Sequence, residues 1–430
     1  MIVLKRSEHP ISRRQIDSGA LRVLSRLYRA GHTAYLVGGS VRDLFLERTP
    51  KDFDVVTSAR PTQVRKLFRN CRLIGRRFRL AHVHFSGSEI VEVATFRCQP
   101  EAATDDELLL VTDNRFGSPE EDAYRRDFTI NGLFYNIADY SVIDYVGGVR
   151  DIEKGVVRTI NDPWTRFQED PVRMLRAIKF ASKLNFTIEK KTWKALKESA
   201  PAICKSPVPR VQEEIARLLE EGASASAISL LFESGLMAHI EPNLHRYLST
   251  PEEFSSWDPD GQLLFDLLAV ADRFAADGKK VSRPIYFALW LLPFVLAKGF
   301  LEANAPDSLV RREAERVLPA VGISRRDMER VGQILLAIRR FRTATKKGKR
   351  TAPRAFLAKS YLDEALLLYE IFLDALDEDT EHLDWWHEQK DEFAKAKPAA
   401  SAAPREGRSA GGESSGGGGR SRQRRFRKRS

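Results

Sequence analysis

Two carboxylates, Asp52 and Asp54, flank Phe53 a short distance after the glycine pair Gly38-Gly39. In an extended strand alternate side chains share a face, so Asp52 and Asp54 are expected to point together while Phe53 turns to the core. Two acids on one face can hold Mg²⁺, which takes oxygen ligands and keeps phosphate oxygens in its shell. Before the glycines, Tyr35-Leu36-Val37 reads as a strand. Gly38-Gly39 then lets the backbone turn tightly enough for its N–H groups to cradle a triphosphate, with Arg42 expected to face the same anion. Alone, the glycine pair is also an ordinary turn, and the Asp-x-Asp pair a solvated strand edge; their joint order points to nucleotide transfer.

A third acid fits this chemistry. Glu92 interrupts the apolar run Ile90–Phe96. An acid inside such a strand needs a partner, a metal or a solvated face. Three carboxylates on adjacent strands would hold two Mg²⁺ about 3.5–4 Å apart, one serving the attacking hydroxyl and the other the departing pyrophosphate. Downstream, Arg125-Arg126-Asp127 precedes the apolar residues Ile130, Leu133 and Phe134. The arginines offer forked donors for phosphate or ribose, and Asp127 can orient one of them or accept from a sugar hydroxyl. Residues 169–184 read as one helix with Pro171 in its first turn, on which Asp170, Arg173, Arg176 and Lys179 form a stripe opposite Leu175, Ile178 and Ala181. Such a stripe can read the edge of a base without a template, or can be a plain set of salt bridges.

The elements that must carry these groups follow from periodicity. Ile16–Leu27 has helical spacing, Pro61 opens a helix over 61–69, and Leu80–Phe85, Ile90–Phe96 and Val142–Tyr145 read as strands. Residues 1–150 are therefore expected to form an α/β unit around a small mixed sheet. Beyond Asn161 the pattern is mostly helical, and Pro284–Ala297, with Pro293 inside, reads as a buried helix pair too short to span a bilayer. From Lys395 on, Ala, Pro, Gly, Ser and Arg dominate, a composition expected to be disordered.

The 430 residues carry a formal charge of +11. Residues 405–430 hold nine Arg or Lys against Glu406 and Glu413, a net of +7, which leaves about +4 for the other 404. Cys71, Cys98 and Cys204 show no paired spacing, which fits a reducing cytoplasm and thiols that are buried or inert. The charged start of the chain, with Lys5, Arg6 and Glu8, does not read as a signal peptide. His82 and His84 share a strand face without a third ligand, so a metal is not expected there.

Gly-Gly-x-Val-Arg-Asp (38–43), Asp-x-Asp (52–54), Glu-Val-Ala-Thr-Phe-Arg (92–97), Arg-Arg-Asp-Phe-Thr-Ile-Asn (125–131) and Glu-Asp-Pro-x-Arg-x-Leu-Arg-Ala (169–177) occur in this order. Over about residues 11–220 the chain resembles the class II nucleotidyltransferases of the DNA polymerase β superfamily, which include tRNA CCA-adding enzymes and bacterial poly(A) polymerases. The resemblance implies an α+β fold: a nucleotidyltransferase head over 1–150, an all-α neck over 151–220, an all-α body and leg over 221–394, and a disordered basic tail over 395–430. It implies that Asp52, Asp54, Glu92 and Asp127 are catalytic, with Asp52 and Asp54 on the metal. Asp127, with Arg126, would belong to the ribose and phosphate motif, and Gly38, Gly39, Arg42, Arg173 and Arg176 would serve the nucleotide. Asp170 and Arg173 would read the base.

Leu73–Val83, with Arg76, Arg77 and Arg79, resembles the poly(A) polymerase form of the group, and these arginines would meet RNA; a basic hairpin edge is the alternative. The implied activity is Mg²⁺- and ATP-dependent addition of A to RNA 3′ ends without a DNA template or a membrane, in the cytoplasm; CCA addition to tRNA is the alternative. Three positions depart from the family: Ser40 and Glu47 replace glycines, and Lys179 replaces an arginine.

The run Arg339–Arg354 is dense enough in cations to contact RNA or simply to solvate a loop. The tail could grip RNA, or RNA-decay and RNA-chaperone proteins, without sequence preference. Deleting residues 405–430 is therefore expected to weaken RNA binding and flatten its salt dependence while leaving ATP affinity unchanged; equal salt slopes in an anisotropy titration would contradict this.

Overall fold

The computed structural model describes residues 1–75, 80–85, 90–98, 116–254, 258–318, 323–343 and 352–396. Arg76, Arg77 and Arg79, and all of the tail beyond residue 396, thus lie outside the described residues.

Eight strands form one sheet: β1 (Ile2–Leu4), β2 (Ala34–Val37), β3 (Asp54–Thr57), β4 (Cys71–Ile74), β5 (Leu80–His84), β6 (Ile90–Thr95), β7 (Leu133–Asn136) and β8 (Val142–Asp144). Their order is β1-β8-β7-β2-β3-β6-β5-β4, antiparallel throughout except for the parallel pair β3 and β6. The sheet is mixed, as expected, but has eight strands: β1, β4 and β7 are too short for periodicity alone to reveal. β4 pairs antiparallel with β5 at the sheet edge.

Apolar side chains alternate across the sheet. Leu36, Val55, Val93, Ala81 and Val83 face α1 (Ser18–Arg29), whose Ala20, Val23, Leu24 and Leu27 are buried. Val37, Val56, Phe96 and Phe134 form a second small core on the other face with Ala123. α2 (Gly39–Phe45) follows β2, and α3 (Pro61–Leu67) starts on its proline, whose fixed φ suits a first helical turn. Glu47, just past α2, has φ +55, the left-handed conformation for which the family's glycine is better suited.

α4 (Pro119–Arg125) and α5 (Gly148–Glu153) complete the head. The buried Asp144 carboxylate accepts the N–H groups of Val146, Gly147, Gly148 and Val149 at 2.8–3.1 Å, which caps α5. A short parallel pair, β9 (Val156–Val157) with β10 (Thr187–Ile188), leads into the helical part. There α6 (Pro163–Glu169), α7 (Val172–Leu184), α8 (Lys190–Ser199) and α9 (Val208–Glu220) follow in order.

Two helices differ from expectation. Residues 169–184 are not one helix: α6 ends at Glu169, and α7 begins after Pro171 because Asp170 adopts extended backbone. Arg283–Ala297 is a single buried helix rather than a pair, because Pro293 is accommodated inside it. Of the three free cysteines, Cys71 and Cys98 are partly exposed and Cys204 is exposed, so none is fully buried. Among the described residues no helix is long and apolar enough to cross a membrane.

A Cβ on Gly148 would lie 2.2 Å from the backbone oxygen of Thr129. Gly148→Ala is expected to cost about 1–3 kcal/mol through this overlap, read as a lower urea midpoint for the head; an unchanged midpoint would contradict the packing.

Candidate active site

Register assembles the site. Asp54 on β3 pairs with Glu92 on β6, Glu92 with His82 on β5, and His82 with Arg72 on β4. Directly opposed residues share a sheet face, so all four lie in one row on the face away from α1. The strand begins at Asp54, so alternation orients that residue, whereas Asp52 precedes the strand in irregular backbone. Phe53 is half-buried against the core.

Asp54 keeps one edge open to solvent, yet protein crowds its other sides. Burial, followed by the negative charge of Glu92, raises its pKa to about 6; Arg126 pulls it down and Asp52 pushes it up again. Glu92 is not bare: His82 Nε2 lies 3.2 Å from its Oε1. Among the described residues, no three His, Cys, Asp or Glu side chains are already gathered as a metal cage. The donors nonetheless suit a hard dication, since Asp54, Asp52 and Glu92 present oxygen atoms and a crowding of negative charge that protonation now relieves.

The glycine turn stands beside these acids. Gly38 has φ +74, which favours glycine, and Ser40 Oγ donates to Val37 O at 2.9 Å to close the turn. A Cβ on Gly38 would come 3.4 Å from Arg126 Nη1, so this guanidinium borders the turn. Asp122 accepts from Arg126 Nε and Nη2 at 3.1 and 2.9 Å, and the guanidinium lies over the Phe134 ring.

Arg42 does not face an anion. It is 3% exposed, and α2 turns it inward. Its Nη1 donates to Asn131 Oδ1 at 2.7 Å, its Nε and Nη2 donate to Asp43, and the Phe180 ring lies beneath it. The expectation that Arg42 meets phosphate is therefore corrected to a role in the interior, behind the turn.

Asp127 is likewise committed to protein. Arg176 Nε and Nη2 lie 2.8 and 2.6 Å from its Oδ2, while Oδ1 accepts from Phe128 N and Asn131 Nδ2. Burial would raise this carboxyl, but Arg176 and the hydrogen bonds outweigh it and hold the pKa at about 2. Asp127 thereby clasps α7 to the head, a positioning role rather than the catalytic one expected.

The expected stripe on α7 is half interior. Arg176 reaches Glu214 at 3.5 Å, and the buried Lys179 donates to Glu214 at 2.7 Å. Arg173 Nη1 donates to Glu169 and to Arg166 O, both at 2.9 Å. Asp170 Oδ2 accepts from Arg210 at 2.9 Å, while its Oδ1 is buried without a partner. Leu175, Ile178 and Ala181 are buried, as expected.

Sequence reasoning missed His82 as the partner of Glu92, and it missed Glu214 and Arg166. Arg166 is 2% exposed and donates to the carbonyls of Arg125 and Arg126 at 2.6 Å. Glu214 had a signal: it occupies a core position between Val211, Ile215 and Leu218 on the apolar stripe of α9. In the basic run, Arg339 is buried with Asp307 and Ala305 O, Arg340 lies over Phe356, and Arg342 faces Glu378 at 4.0 Å. Arg339 thus serves packing, Arg340 and Arg342 remain exposed, and residues 344–351 lie outside the described residues.

Comparison with known proteins adds identity to geometry. Residues 34–158 match a family model described as the poly A polymerase head domain, and residues 185–248 match one described as a probable RNA- and SrmB-binding site of polymerase A. Poly(A) polymerase I of Salmonella typhi is 51% identical over 257 residues, covering 58% of this chain and 55% of that protein. The match thus spans about half the length of that curated relative. The CCA-adding enzyme of Bacillus subtilis is 36% identical over 279 residues, covering 64% of this chain and 68% of that enzyme. The crystal structure of the Bacillus stearothermophilus CCA-adding enzyme in complex with CTP superposes with a TM-score of 0.64 at 28% identity, covering 88% of this chain and 82% of that one.

Because Asp54 retains a proton up to a pH of about 6, a divalent cation must compete with that proton. Cation affinity measured by calorimetry is expected to be flat above about pH 7 and to fall about tenfold per unit below about pH 6. A flat profile down to pH 5 would contradict the environment assigned to Asp54.

Proposed function

Because this chain belongs to the tRNA nucleotidyltransferase and poly(A) polymerase family, we propose that it adds adenylate to RNA 3′ ends, using ATP, releasing pyrophosphate and needing no template. The register that sets Asp54 opposite Glu92, with Asp52 beside them, carries this reading. The higher identity to a poly(A) polymerase than to a CCA-adding enzyme supports adenylate addition over CCA addition. The absence of a spanning helix among the described residues is consistent with work in the cytoplasm.

Asp52 and Asp54 would hold Mg²⁺, with Glu92 steadied by His82 as the third carboxylate. Bound there, Mg²⁺ supplies charge neutralisation at the α-phosphate and lowers the pKa of the attacking 3′ hydroxyl. The chain's own groups do the rest. The Gly38-Gly39 backbone and Arg126 line the place for the triphosphate, because Arg126 borders the turn while Arg42 supports it from within. The hydroxyl oxygen attacks the α-phosphorus in line, and pyrophosphate departs.

Asp170 Oδ1 is an unfilled acceptor suited to an exocyclic amino group. Arg173 has one nitrogen bonded to Glu169 and Arg166 O, which fixes the fork while its other edge can donate to a ring nitrogen. Adenine and cytosine both offer an amino group beside a ring acceptor, so rigidity must decide between them. Arg176, pinned by Asp127, and Glu214, which binds Lys179, supply that rigidity.

Extension of an unstructured RNA and of a tRNA lacking its 3′ end, with ATP and CTP supplied separately, tests the reading. Long ladders with ATP on both RNAs are expected. Asp54→Ala should lower the rate by at least about 10³-fold with an unchanged melting curve. A short CTP-requiring addition confined to tRNA would make the chain a CCA-adding enzyme instead.

A further inference from the structure

Charge pairing is uneven over this molecule. In the helical part exposed arginines meet carboxylates: Arg217 with Glu213, Arg273 with Asp374, Arg283 with Glu220. The head differs. Residues 18–42 and 55–88 contain no Asp or Glu at all. Within them Arg22 and Arg26 on α1, Arg65, Lys66 and Arg69 on and after α3, and Arg72 on β4 are all exposed. None of the six forms an ion pair among the described residues.

What orders two of them is aromatic. The Arg22 guanidinium lies 4.8 Å from the centre of the Phe85 ring, and that of Arg26 lies 5.3 Å from the Phe68 ring. A ring holds a guanidinium in place without neutralising it, so the charge remains available to a polyanion. The Arg26–Phe68 contact also joins the surfaces of α1 and α3, because Phe68 ends α3 between Lys66 and Arg69.

This surface lies on the side of the sheet away from the carboxylates, since α1 covers the face carrying Val55 and Val93. Among the described residues β4 is the last strand of the sheet on that side, and its outer edge is the way between the two sides. Arg72 stands on that strand but on the carboxylate side, in one row with His82, Glu92 and Asp54. Three strand spacings, about 14 Å, separate Arg72 from Asp54 along this row.

We infer that the α1–α3 surface binds the body of a single-stranded RNA whose 3′ end crosses the β4 edge past Arg72 to Asp54. The inference deepens the proposed function and rests on it for the identity of the chain's substrate. The occupant is RNA because six unneutralised cations, two of them held on aromatic rings and the last standing in the row that leads to Asp54, match the phosphate backbone of a strand whose end must reach that row. An acidic protein would match the charge but not the continuity with the site.

The test is fluorescence anisotropy of the full chain with labelled 20-nucleotide and 4-nucleotide unstructured RNAs, without ATP, over a range of salt. The triple variant Arg65→Gln, Lys66→Gln, Arg69→Gln changes only exposed positions, and its fold is checked by its melting curve. It is expected to bind the 20-mer roughly tenfold or more weakly, with the salt slope reduced by about 2, since each single-strand phosphate contact contributes about 0.7. Binding of the 4-mer and the KM for ATP should stay unchanged. Arg72→Gln should instead weaken both RNAs.

An unchanged affinity and slope for the 20-mer in a folded triple variant overturns the inference, and that is also the result if the surface serves an acidic protein. Failure of the proposed function would look different: the wild type would not build ATP ladders, while anisotropy would still report whether RNA occupies this surface.

Discussion

The parallel pairing of β3 with β6 is the constraint on which the site depends. Among the described strands it is the one parallel contact in an otherwise antiparallel sheet, and it sets Asp54 opposite Glu92. Two carboxylates so placed repel one another in a crowded setting, and the chain accepts that cost at Asp54, whose pKa rises to about 6. The sheet supplies the rigidity that keeps them together. Leu36, Val55 and Val93 are nearly or fully buried under α1, so the strands cannot slide without exposing core.

Around this centre, buried charges do a mechanical task. Asp127 joins Arg176, Glu214 joins Lys179, and Arg166 binds the carbonyls of Arg125 and Arg126. These bonds tie α6, α7 and α9 to the segment that also carries Arg126. A buried pair of this kind adds little net stability, but breaking it leaves a charge stranded, so it fixes one arrangement of neck on head. Arg173 is held by Arg166 and Glu169, and Asp170 by Arg210, beside the same contacts.

Much of this was legible in the sequence where the signal was local. The Asp-x-Asp pair, the glycine turn and an acid inside an apolar strand each announced themselves within a few residues. What depended on distant register did not. His82 meets Glu92 only because β5 pairs with β6, and no spacing between positions 82 and 92 encodes that. Arg42 looked like an anion ligand, but its direction follows from the packing of α2 on Asn131 and Phe180. Asp127 was read as catalytic from the family motif it resembles, whereas its partner Arg176 comes from a helix 49 residues on. Short strands such as β1 and β4 take their existence from their neighbours rather than from any pattern of their own.

Diffraction from crystals grown with Mn²⁺ and a non-hydrolysable ATP analogue would test the centre most directly. Anomalous density between Asp52 and Asp54, with the triphosphate against Gly38, Gly39 and Arg126, is the expected result. Metal absent from those carboxylates, or a triphosphate bound away from that turn while the analogue is fully occupied, would contradict the assignment of this row of residues as the site of nucleotidyl transfer.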